Sequence, residues 1–82
     1  MIAVLEATGH FTHRLLSNGH VNRANHSWTW SIDKAGLFAT GPHEGEVYVD
    51  RYTISEDGKK FRLKNNKDAQ FNGVVLSEPF EQ

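Results

Sequence analysis

The sequence predicts an all-β domain, a small antiparallel meander of about six to seven short strands closed as a barrel or folded as a sandwich. Two observations carry this expectation. Turn signals recur along the chain, at Asn18-Gly19, Asp33-Lys34-Ala35-Gly36, Gly41-Pro42, Gly45 and Asp57-Gly58, and the runs between them are rich in β-formers. No window of ten or more residues sustains the three-and-four apolar spacing of an amphipathic helix.

Strands are expected at 2–7, 10–16, 21–32, 37–40, 46–54, 60–64 and 71–77. Two stretches also admit a helical reading. "MIAVLEA" at the start could be a short helix instead of a first strand. "FTHRLLSNG" could be a helix ended by Asn18-Gly19 as its C-cap, with Phe11 and Leu15 on one face.

Around Asp57-Gly58 a two-residue type I′ turn, which needs positive φ at both central residues, pairs Ser55 with Lys60, Ile54 with Phe61 and Tyr52 with Leu63. That register gathers Tyr52, Ile54, Phe61 and Leu63 on one face. Arg51, Thr53, Lys60, Arg62 and Lys64 fall on the other. A one-residue slip would mix the faces.

The same arithmetic at Asn18-Gly19 pairs Leu16 with Val21, Leu15 with Asn22 and Arg14 with Arg23. Phe11, His13, Leu15, Ala24, His26 and Trp28 then share a face, which Trp30 and Ile32 join if the strand runs on. Ser27, Thr29 and Ser31 point the other way, the alternation of a half-buried strand. Trp28 and Trp30 are therefore expected to face inward, as plain core or as the lining of a ligand pocket.

One domain is expected across residues 1–82, with no repeat or linker. Composition is that of a folded chain: 38% hydrophobic, 23% charged, net charge −1. Cysteine is absent, so neither a disulfide nor a thiolate is available. A chain this short is marginally stable alone, and a homo-oligomer is one expected form. No stretch has the length of a membrane span, and no basic segment precedes an apolar run at the N-terminus. The cytoplasm is the expected compartment, although a secreted form whose signal peptide had been removed would read the same.

The leading expectation for function is a non-catalytic module that binds a protein partner or a small ligand. No catalytic motif, nucleotide-binding loop or family signature appears, no cofactor is implied, and no metal-ligand spacing is present. Candidate ligand-binding residues are His13, His26, Trp28 and Trp30 on the apolar face, with the two histidines diagonal across the hairpin. Arg14 facing Arg23 would repel, so an acidic group is expected between them, and Arg14, Arg23 and Asn25 form a candidate surface for a partner or anion. An enzymatic alternative builds a site from His13, His26 and the His43–Glu44 loop, completed across an oligomer interface. A third reading is weak binding of anions or nucleic acid through Arg51, Lys60, Arg62 and Lys64; the near-neutral charge makes nucleic acid a poor fit.

Overall fold

The computed structural model describes residues 2–76 and contains only strands and turns within them. Seven strands run β1 (Ala3–Ala7), β2 (Phe11–Leu15), β3 (Thr29–Asp33), β4 (Gly36–His43), β5 (Glu46–Ile54), β6 (Lys60–Asn65) and β7 (Gln70–Leu76). All pairings are antiparallel in a single sheet of order β2-β1-β7-β6-β5-β4-β3.

That order is an up-and-down meander in which β1 returns to pair with β7 and only the β2–β3 pairing is missing. The sheet curls into a half-barrel. Residues 19–21 thread the gap between the two free edges. Leu15 bridges Val21, His20 bridges Thr29, and the Trp30 amide donates to the Gly19 carbonyl at 2.9 Å. These few bonds protect edges that would otherwise offer unpaired backbone groups.

The first two strands settle the helical alternatives: Ala3–Ala7 and Phe11–Leu15 are extended, with Leu5, Ala7 and Leu15 reaching a common interior. The hairpin at Asp57-Gly58 has the expected register, with Ile54 opposite Phe61 and Tyr52 opposite Leu63. Its turn differs. Only Gly58 has positive φ, and the Gly58 amide closes a turn on the Ser55 carbonyl at 2.9 Å, while Ser55 and Asp57 side chains hold the loop. Type I′ geometry instead lies at Glu44–Gly45, whose φ values of 51° and 82° join β4 to β5 between His43 and Glu46.

The strand expected at 21–32 is a correction. Leu15 pairs with Val21, not Asn22, and the chain turns away at once: Asn22 has φ 71°, and the Arg23 amide donates to the Val21 carbonyl at 2.8 Å. Arg14 therefore never faces Arg23 across a ladder. Its amide donates to Asn22 Oδ1 at 2.8 Å, an arrangement that removes the like-charge clash by leaving the sheet.

β4 also runs further than expected, through Gly41-Pro42 to His43. Pro42 is tolerated because β3 pairs with β4 only as far as Thr40, so no ladder bond is lost on that side. Ile32 is 68% exposed, not inward with the tryptophans, because β3 is an edge strand that continues past the segment covering Trp30. The last residue of the expected seventh strand lies outside the described residues.

Leu5, Ala7, Leu15, Val21, Ala39, Tyr52, Phe61 and Leu63 fill the interior toward one end of the half-barrel, with Trp28, Trp30 and Phe71 packed against them. Gly73 lets β1 and β7 approach closely: a β-carbon there would overlap the Glu6 carbonyl oxygen and the Phe61 ring. Filling is therefore uneven. The other end stays open.

Candidate functional site

The open end is the one bearing the β1–β2, β4–β5 and β6–β7 turns. A cavity of about 440 Å³ sits there, lined by Phe11, His13, Trp28, His43, Tyr48, Asp50, Asn65 and Phe71. That volume lies within the range of small-ligand sites, and four of its eight lining residues are aromatic.

Each wall follows from strand alternation. On β5, Tyr52 points into the core, and stepping back by two puts Asp50 and then Tyr48 on the same inner face. On β2, Leu15 belongs to the core, so His13 and Phe11 line the opening above it. Phe71 opens β7 on the inner face, packing edge-on against Phe11 at 5.2 Å, and Phe11 in turn lies 4.6 Å from the His13 ring.

Trp28 reaches the cavity from outside the strands. Its indole Nε1 donates to the Pro42 carbonyl at 2.9 Å, and it packs on the bare backbone of Gly41. Trp30 goes elsewhere: its Nε1 donates to the Leu16 carbonyl at 2.7 Å, tying β3 to the residue that follows β2. The two tryptophans thus separate, Trp28 to the cavity wall and Trp30 to the packing beneath it.

His13 is hydrogen-bonded through Nδ1 to the Tyr52 hydroxyl. Burial, with a smaller repulsion from His26, pulls its pKa down to about 4, so the imidazole is neutral at physiological pH. Tyr52 stays a phenol, since burial and the nearby Asp50 both push its pKa up. The pair is uncharged in either tautomer. His26 does not line the cavity; its Nδ1 accepts from the Trp28 amide at 3.2 Å, shaping the loop that delivers the indole. His43 reaches the rim, while Glu44 points to solvent.

The residue that sequence reasoning missed is Asp50. It is 4% exposed, the sole buried charged residue among those described, and its Oδ1 has no hydrogen-bond partner. Desolvation raises its pKa to about 6, which leaves it mostly ionised at neutral pH. The signal was available: the face that Tyr52 shares with Ile54 continues one step back to an aspartate, where an apolar residue belongs.

Arg14, Arg23 and Asn25 are all exposed and do not meet at the cavity. On the outer face, Arg51 is held by Asp33 in a two-pronged ion pair at 2.7 and 2.8 Å, with its guanidinium 4.8 Å from the Phe38 ring centre. Among the described residues, no three metal-ligating side chains converge. Comparison with known proteins gives no match to a family, a curated sequence or a solved structure.

Proposed function

We propose that this protein is a binding module that takes a small ligand into the open end of its half-barrel. The single observation that carries the reading is the cavity itself, with aromatic walls and a few inward polar groups at His13, Asp50 and Asn65. Apolar walls supply affinity and sparse polar groups supply orientation, the usual division of labour in such sites. Of the ligand-binding residues expected from sequence, His13 and Trp28 belong to this wall. Trp30 and His26 act one layer behind it, by packing and by shaping the loop.

Binding without catalysis is favoured by how the polar groups are arranged. The His13 Nδ1 is engaged with Tyr52, Glu44 stands in solvent, and no serine or threonine lines the cavity to act as a nucleophile. A fragment screen read by amide and indole NMR shifts tests the proposal. Hits should move the Trp28 Nε1–H and the amides of His13, Asp50 and Phe71 together. A screen without hits, or with hits confined to the outer face around Lys60 and Arg62, would overturn it.

A further inference from the structure

The cavity has a polarity of its own. Asp50 forms part of its inner wall with an unpartnered oxygen, and an unpaired carboxylate in a place that water barely reaches is costly to keep. Nothing among the lining residues offsets it: they include no lysine and no arginine. Of the two imidazoles in the lining, His13 is neutral and already engaged by Tyr52, and His43 stands at the rim with its side chain 59% exposed. Neighbouring cations are committed to other carboxylates, Arg51 to Asp33 and Lys67 to Glu46, with the Lys67 Nζ 5.6 Å from the centre of the Tyr48 ring.

Around this charge stand Phe11, Trp28, Tyr48 and Phe71. Aromatic faces attract cations through their ring quadrupole, most strongly where water is excluded. One buried anion in a cavity walled by aromatic rings is complementary to one kind of ligand head.

We propose that the cavity binds a small organic cation, an ammonium group on an apolar body, with the ammonium against the Asp50 carboxylate and the body between the aromatic walls. This inference rests on the cavity reading above and adds the ligand's charge. Both the ion pair and the cation–π contacts require a positive head. The aromatic walls toward the open mouth require a body that is flat or aliphatic. The ligand's charge neutralises the carboxylate that folding left bare, so binding and local stability rise together.

The test compares phenethylammonium with 2-phenylethanol, which share a body and differ in the charge of the head, by NMR titration at pH 7.5. Phenethylammonium is expected to bind at least about tenfold more tightly, a difference of about 1.4 kcal/mol. In Asp50→Asn, which keeps the shape and removes the charge, most of that preference should be lost, leaving only the part that the aromatic rings supply. Equal affinities in the wild-type protein would overturn the cation inference and leave the cavity reading standing. A preference that is undiminished in Asp50→Asn would overturn the role of Asp50. If neither probe shifts the Trp28 indole, the cation inference fails, and the fragment screen decides separately whether the cavity binds anything. The third arm uses Nα-acetyl-lysine methylamide, which presents the same head as it occurs on a protein chain. Tighter binding of this probe than of phenethylammonium would overturn a free amine as the ligand and make a lysine side chain the source.

Discussion

Trp28 occupies the space that a side chain at Gly41 would fill: a β-carbon there would overlap Cγ, Cδ1 and Cδ2 of the indole. The glycine is needed for what lies over it, since its own backbone is ordinary strand. Gly41→Ala should therefore expel the indole, break its bond to the Pro42 carbonyl and destabilise the fold by about 1–3 kcal/mol. The check is Trp emission together with the Trp28 Nε1–H resonance. An unshifted resonance in Gly41→Ala would show that the wall is not built this way.

Asp50 costs stability where it stands. Removing an unpaired buried charge while keeping its shape should help, so Asp50→Asn is expected to raise unfolding free energy at pH 7.5 by about 1–3 kcal/mol. Chemical denaturation measures it. A destabilised variant would mean that the carboxylate has a partner in solution.

The pH dependence of stability follows from two opposed groups. Unfolded aspartate titrates near 3.8 and Asp50 in the fold at about 6, so between these values the folded state holds the extra proton and stability falls as pH rises. His13 runs the other way. Its unfolded value is near 6.5 and its folded value about 4, so there the unfolded state holds the extra proton, and stability falls as pH drops. From pH 4 to 6 the slopes oppose each other, and the wild-type melting temperature should change little. Asp50→Asn should expose the His13 slope and lose stability steadily below pH 6.5. His13→Gln should do the reverse and gain stability on acidification. The surface carboxylates held low by their partners, Asp33 by Arg51 and Asp57 by Ser55, act mainly below this window. Parallel pH profiles for wild type and Asp50→Asn would sink the account.

Glu44 is held at φ 51° in a turn whose first position favours asparagine. Glu44→Asn should stabilise the β4–β5 hairpin by about 0.5 kcal/mol, through backbone preference alone. Thermal melts of the two proteins decide it, and a lowered midpoint would show that the glutamate side chain contributes something the turn does not need.

Much of this molecule is legible from residue order. The register of β5 on β6 follows from putting Tyr52, Ile54, Phe61 and Leu63 on one face, and it is the register observed. Turn type is less legible. Asp57-Gly58 carries the type I′ signature, but Ser55 and Asp57 side chains capture the loop's amides and hold another geometry. The second hairpin failed for a related reason: Asn18 spends its side chain on the His20 amide and the Ala24 carbonyl, which lengthens the turn and shifts the pairing by one.

What the sequence by itself determined is local: which runs are extended, where they reverse, and which side chains alternate toward a common interior. These depend on neighbours along the chain and across one hairpin. The pairing of β1 with β7, the turning away at Asn22 and the cavity beside Asp50 were decided only by the tertiary structure. The reason is geometric. A cavity is what remains when side chains from all the curled strands fail to meet, and that remainder depends on curvature summed over the whole sheet. Alternation says that Asp50 points inward; only the curled shape says that, among the described residues, no side chain meets its Oδ1.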